Sequence, residues 1–109
     1  YTTSGPLSWL EGDDEIHGNN NEDLLIGGAG NDTIHGNNDN DVIFGGEGDD
    51  NLMGENGMDL IKGEGGNDRV DGGNNNDTLD GGIGDKDHGD GKNGTDKCSN
   101  FESKRNCEL

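Results

Sequence analysis

Residues 27–35 read GGAGNDTIH. The nine residues before them, 18–26, read GNNNEDLLI, and the nine after, 36–44, read GNNDNDVIF. Each stretch opens on glycine, carries aspartate in its sixth place and an aliphatic residue in its eighth. A nine-residue frame begun at Trp9 extends the pattern along the chain. Its sixth place holds Asp14, Asp23, Asp32, Asp41, Asp50, Asp59, Asp68 and Asp77. Its eighth holds Ile16, Leu25, Ile34, Ile43, Leu52, Ile61, Val70 and Leu79. The next repeat, GGIGDKDHGD, has one extra residue, which puts Asp87 rather than Lys86 in the sixth place. GKNGTDKCS then restores the frame, with Asp96 sixth and Cys98 eighth, and Leu7 fills the eighth place of a partial repeat ahead of Trp9.

The composition alone argues against a folded chain. The formal net charge is −18 over 109 residues, only 23% of them are hydrophobic, and 23 are glycine. Such a chain buries too little apolar surface to offset the entropy of ordering its backbone. All seven basic residues lie at or after Lys62. An outside cation is therefore the natural missing component, and nucleic acid, which needs basic patches, is the wrong partner. No apolar run approaches the length of a membrane span, so no membrane insertion is expected. With no starting Met and no signal peptide, the chain is expected to be a processed product or an excised fragment. Two cysteines, Cys98 and Cys107, lie close together at one end of a very acidic chain. They are expected to form a disulfide in a secreted, extracellular protein.

The pattern G-G-x-G-x-D-x-(aliphatic)-x resembles the calcium-binding repeats of the repeats-in-toxin (RTX) family, over roughly nine tenths of the chain. The resemblance implies an all-β fold: a right-handed parallel β-roll, or β-solenoid, of about five coils. Residues 1–8 would form an N-terminal cap, 9–99 the roll and 100–109 a disulfide-linked C-terminal cap.

The residue types fit that architecture. The first six places turn sharply and need glycine at positive φ; where the fourth place lacks it, Asn21, Asp39 and Asn75 stand there, residue types that tolerate the left-handed region. The last three places form a strand whose middle residue points inward. Two repeats make one 18-residue coil, and coils stack about 4.8 Å apart. The aliphatic residues then form two ladders, Ile16–Ile34–Leu52–Val70 and Leu7–Leu25–Ile43–Ile61–Leu79–Cys98. The aspartates form two columns, Asp14–Asp32–Asp50–Asp68–Asp87 and Asp23–Asp41–Asp59–Asp77–Asp96.

Like charges at that spacing repel unless a hard cation lies between them. Carboxylates and turn carbonyls, such as those of Gly28, Gly30, Gly46 and Gly48, are the oxygen donors Ca²⁺ takes. Four gaps in each column give about eight ions, which would leave a net charge near −2. No EF-hand loop is present, and no Cys/His set has zinc spacing. Folding on calcium binding is the expectation.

The two sides of the roll differ. The third place of alternate repeats is Asn20, Asn38, Asn56, Asn74 and Asn93, a column able to form an amide ladder. The opposite edge carries Glu11, Ala29, Glu47, Gly65 and Ile83 there. Outward strand positions after the asparagine turns are Leu24, Ile26, Val42, Phe44 and Leu60, a contact patch that would meet copies of the same chain unless the N-terminal segment YTTSGPLS covers it. The other strand face carries Glu15, His17, Thr33, His35, Asn51, Met53 and Arg69; the two histidines, stacked at one-coil spacing, could bind a transition metal but are read as surface residues. Trp9 and Phe101 are candidates to close the two ends. Sequons stand at Asn31, Asn76 and Asn93, two of them products of the repeat itself.

No catalytic constellation is visible, so an enzyme is not expected. Three functions stay open: a calcium-dependent structural protein that self-assembles into filament or matrix, a calcium-folded secretion or stabilising module of a larger secreted protein, and an ice- or glycan-binding surface.

Overall fold

The computed structural model describes residues 6–8, 12–84 and 86–108, the first three as backbone only. Its regular structure is all strand: β1 (Pro6–Ser8), β2 (Glu15–His17), β3 (Leu24–Ala29), β4 (Thr33–His35), β5 (Val42–Glu47), β6 (Asn51–Met53), β7 (Leu60–Glu64), β8 (Arg69–Asp71), β9 (Thr78–Asp80), β10 (His88–Asp90), β11 (Lys97–Ser99) and β12 (Ser103–Arg105). Consecutive strands fall in opposite sheets. The odd strands form one parallel six-stranded sheet in chain order and the even strands the other. This is the parallel β-roll of about five coils that the repeat implies. Backbone bonds recur one coil apart, as in Thr33 N to Asp14 O at 2.8 Å and Val42 N to Asp23 O at 2.9 Å.

Alternation along each strand turns every eighth-place residue inward. Ile16, Ile34, Leu52 and Val70 stack in register in the even sheet, and Leu25, Ile43, Ile61 and Leu79 in the odd sheet. All eight are at most 1% exposed and form one core between the sheets. The molecule measures 33 × 30 × 13 Å, so that core is a single layer of interlocked side chains. The backbone of Leu7 registers with that of Leu25.

The turns are more ordered than a strand-plus-loop picture suggests. Pairing in β3 and β5 continues into the first three places of the next repeat, with Gly28 opposite Gly46 and Ala29 opposite Glu47. Third-place amides donate to second-place carbonyls of the preceding coil, as in Asn38 N to Asn19 O and Asn74 N to Glu55 O. The second and fourth places take positive φ. The fourth-place substitutes Asn21, Asp39 and Asn75 do so at 81°, 73° and 78°. Glu64, in a second place, is held at φ 75° without asparagine's tolerance of that region. Glu64→Gly is therefore expected to stabilise the calcium-loaded protein by about 1 kcal/mol, read as a higher urea midpoint with an unchanged slope; a lower midpoint would contradict it.

The ends depart from the repeat. Pro6–Ser8 lies beside β3 as the next strand of its sheet, so this part of the N-terminal segment extends the sheet instead of lying across the outer patch. Trp9, Glu11 and residues 1–5 lie outside the described residues. At the other end Gly89 takes the aliphatic place in the even sheet, in register with Val70. A Cβ on Gly89 would stand 2.7 Å from the ring of Phe101, which occupies that space and packs on the core. Cys98 continues the odd ladder from Leu79 and is bonded to Cys107, with Cα atoms 5.7 Å apart. The last segment is itself a shortened half-coil: β12 pairs with β10, Ser103 N donates to Asp87 O at 3.1 Å, and Glu108 bridges to Lys97.

Candidate metal centre

The ten sixth-place aspartates stand in two columns on the inner side of the turns. Nine of them, Asp23 to Asp96, are at most 4% exposed, and Asp14, at the first coil, is half-buried. From Asp32 onward, one oxygen of each carboxylate is used within the protein. Asp32 Oδ1 accepts from Asp14 N, Asp41 Oδ1 from Asp23 N, Asp50 Oδ1 from Asp32 N and Asp59 Oδ1 from Asp41 N, all at 2.8 Å. Asp68, Asp77, Asp87 and Asp96 repeat the contact, the last two across 19 residues, which confirms that the extra residue of the ninth repeat leaves Asp87 in the sixth place.

The other oxygen is different. In Asp14, Asp32, Asp41, Asp50, Asp59, Asp68, Asp77, Asp87 and Asp96, Oδ2 is buried and accepts no hydrogen bond. A buried, unpaired carboxylate oxygen is costly. One such atom is an oddity; nine at a fixed interval in two columns form an oxygen donor set whose chemistry fits a hard cation. The surroundings are oxygen as well. A Cβ on Gly27 would stand 2.5 Å from Asp32 Oδ2 and 2.7 Å from Gly45 O, and one on Gly45 would stand 2.6 Å from Asp50 Oδ2 and 2.9 Å from Gly63 O. First-place glycine leaves a cradle lined by an aspartate oxygen and a carbonyl from the next coil. Hard oxygen donors without nitrogen or sulfur suit Ca²⁺.

Burial pushes these carboxyls up, against the opposing effect of the amide each one accepts. Asp41, Asp68 and Asp77 are raised from 3.8 to about 7, and Asp50 and Asp59 to about 8. Neighbouring carboxylates in the column push the same way. Asp32, Asp87 and Asp96 shift upward for the same leading reason.

Of the four carbonyls named from sequence, Gly46 O already accepts a ladder bond from Gly65 N at 3.1 Å, and Gly28 lies opposite Gly46 within the paired strands. Gly30 O and Gly48 O face the α-carbon of the fourth-place glycine one coil on. First-place glycine carbonyls border the same cradles as the unpaired oxygens, which alternation could have indicated, because that place points inward with the eighth. Two further features were missed. Fifth-place side chains also bind across coils, in the opposite direction: Asp13 Oδ1 accepts from Asn31 N, Asn31 Oδ1 from Asp49 N and Asp49 Oδ1 from Asn67 N, at 2.8 to 2.9 Å. The recurring Asn-Asp and Asp-Asp pairs were the available signal. At the closing end Glu102 Oε1 accepts from Asp87 N at 2.9 Å, standing in for the next aspartate of the column. No repeat signal marks Glu102, since it lies in the shortened half-coil.

The outer surfaces follow the predicted asymmetry. Asn38, Asn56, Asn74 and Asn93 each donate Nδ2 to Oδ1 of the asparagine one coil back, starting at Asn20, over 2.7 to 3.1 Å. Leu24, Val42 and Leu60 form one outer row of the odd sheet and Ile26 and Phe44 the adjacent row, all half-buried. No helix among the described residues is long and apolar enough to cross a membrane.

No curated protein and no solved structure matches the chain. A family model does match, in four overlapping copies over residues 10–34, 17–52, 26–61 and 53–85, and it describes the RTX calcium-binding nonapeptide repeat. That repeat is a structural one that binds calcium, and its matches cover more than half of the sequence. With its register, its roll and its two carboxylate columns, the chain belongs to the RTX calcium-binding nonapeptide repeat family.

Proposed function

We propose that this is a secreted protein that folds when calcium binds and then serves as a structural, self-assembling element. The observation that carries the calcium part is the repeated buried Oδ2 without a hydrogen-bond donor. The ligands would be the carboxylates of Asp14, Asp23, Asp32, Asp41, Asp50, Asp59, Asp68, Asp77, Asp87 and Asp96, completed by turn carbonyls. Four gaps in each five-membered column make about eight ions at six to eight oxygens each. Calcium supplies positive charge that lets ionised carboxylates remain buried; the protein's own residues supply the spacing. Fifth-place side chains tie each coil forward and sixth-place carboxylates tie it back, so the columns assemble only as the coils stack.

Support for assembly comes from the outer face of the odd sheet. In a chain only 23% hydrophobic, five apolar side chains share two adjacent rows there, with Lys62 closing one row. Contiguous apolar surface of this kind marks a contact site. The protein purified in calcium is expected to bind about eight ions and to form oligomers or filaments by sizing and electron microscopy. Val42→Asp with Phe44→Asp should abolish assembly and leave the ion count and circular dichroism unchanged. A monomeric parent would sink the self-assembly reading and leave the calcium-folded module of a larger protein. Assembly surviving in the double variant would move the contact elsewhere, with the asparagine ladder, a flat polar surface suited to ice or glycan, as the next surface to test.

A further inference from the structure

The outer face of the even sheet carries a second cluster, on the side away from the apolar rows. His17 and His35 occupy the same place in successive coils and pair across β2 and β4. Their rings stack with centroids 4.5 Å apart and planes 1° from parallel. His17 Nε2 lies 2.7 Å from Glu15 Oε1. One ligand atom from each of Glu15, His17 and His35 falls within 4.8 Å of the others. Their side chains are 67%, 30% and 24% exposed, so the cluster is reachable from solvent while the rings stay held.

The hold on His35 is specific. Glu55 Oε2 lies 2.7 Å from His35 Nδ1, and an ionised carboxylate there fixes the proton on Nδ1 and leaves the Nε2 lone pair outward. A carboxylate behind the ring of a ligating histidine is the usual partner of imidazole–metal sites. Glu55 takes this position from a second place held at φ 70°, where glycine or asparagine would sit with less strain. It also accepts from Asn37 Nδ2 at 3.4 Å. A strained residue whose side chain reaches back one coil to orient a histidine is a feature the repeat does not require.

We propose that Glu15, His17 and His35 form a site for a borderline divalent transition metal, Zn²⁺ being the representative ion, separate from the calcium columns. The donor set is two imidazoles and a carboxylate with a fourth position open to water. Zinc–nitrogen bonds of about 2.0–2.1 Å in tetrahedral geometry need the two nitrogens about 3.3 Å apart. The stacked rings reach that by tilting toward each other, with Glu15 turning from the His17 nitrogen onto the ion. The ion would bind the first two complete coils to each other from outside, where the calcium columns hold them from within.

The test is a zinc titration of the full chain in saturating calcium by isothermal calorimetry. One equivalent is expected. His17→Ala and His35→Ala should each weaken binding more than about 30-fold, and Glu55→Gln by about 10- to 100-fold, the range for orienting partners of metal ligands. His88→Ala, which removes the remaining histidine, should change nothing. Calcium-loaded circular dichroism checks that each variant folds. In the unaltered protein, zinc should shift and broaden the His17 and His35 ring signals in NMR spectra and leave those of His88 in place, a readout that needs no variant. The proposal is overturned if no zinc binds with Kd below about 1 mM. It is also overturned if binding persists undiminished without His17 and His35, or if added calcium displaces the zinc, which would assign the ion to the aspartate columns.

Discussion

In excess chelator at pH 8 the chain is expected to lose its β-structure, and calcium-free stability is expected to rise as pH falls from about 8 toward about 4. In the folded chain burial lifts Asp41, Asp68 and Asp77 from 3.8 to about 7 and Asp50 and Asp59 to about 8. Between those values the folded state binds more protons than the unfolded one, so stability decreases with rising pH. The penalty is absent below the unfolded value of 3.8 and complete above about 8. A rise from 3.8 to about 7 is worth about 4 kcal/mol for each carboxylate. Several such groups weigh heavily against a fold whose whole stability, in an ordinary domain, is about 5–15 kcal/mol. With calcium the sign reverses, because protons compete with the ion for the same oxygens, and stability should increase with pH across this window. Far-UV circular dichroism against pH, with calcium and with chelator, gives two curves of opposite slope. A β spectrum retained in chelator at pH 8 would remove the basis for calcium-coupled folding.

Much of this was legible because the repeat ties three kinds of information to one period. Asp32 and Ile34 two residues apart, recurring every nine, fix a turn, a strand and an inward side chain together, and the extra residue in GGIGDKDHGD could be placed by asking which acid kept the column. Asn20 to Asn93 announced their ladder in the same way. What escaped lies where the period stops or where backbone carries the contact. Glu102 replaces an aspartate in a half-coil too short for the frame, its longer side chain spanning what the backbone does not. Phe101, named from sequence as an end-closing residue, does pack there; what went unread is its partner Gly89, twelve residues away, which no nine-residue comparison aligns. The first-place carbonyls at the cradles are marked in the sequence only by the inward place of their glycines. Glu55 stands in a second place at positive φ, and its contact with His35 lies outside the repeat pattern.

The outer asymmetry follows from the same geometry. A roll constrains its sixth and eighth places at every coil, because each faces the interior. It leaves the seventh and ninth places open, and there the two sheets diverge into apolar rows around Val42 and Phe44 and a polar face around His17 and His35. On the proposed function, calcium affinity and surface recognition would therefore vary independently: a charge at Val42 would change what the roll meets, while a change at Asp41 would alter whether there is a roll.

Gly48→Ala is expected to disrupt coil stacking, whereas Gly12→Ala, in the same fourth place of an earlier repeat, should be mild. Both glycines have positive φ, 117° and 94°. The local cost of placing alanine there is about 1–2 kcal/mol. They differ in what lies one coil away. A Cβ on Gly48 would press into Gly30 O and stand 2.7 Å from Gly30 C, backbone against backbone, with no rotamer able to relieve it. A Cβ on Gly12 meets nothing within 4 Å among the described residues. Gly65 makes a third case: its Cβ would stand 2.6 Å from Glu47 Oε2, the far end of a flexible exposed side chain that can swing away. The expected order of destabilisation is Gly48→Ala above about 4 kcal/mol, Gly12→Ala about 1–2, and Gly65→Ala below about 1. The measurement is the calcium concentration at the midpoint of the folding transition, which Gly48→Ala should raise at least tenfold. Equal shifts for Gly48→Ala and Gly12→Ala would mean that the glycines serve only their own turns. Unequal shifts in the stated order would show that residue 48 is glycine because the preceding coil's backbone occupies the room a side chain needs.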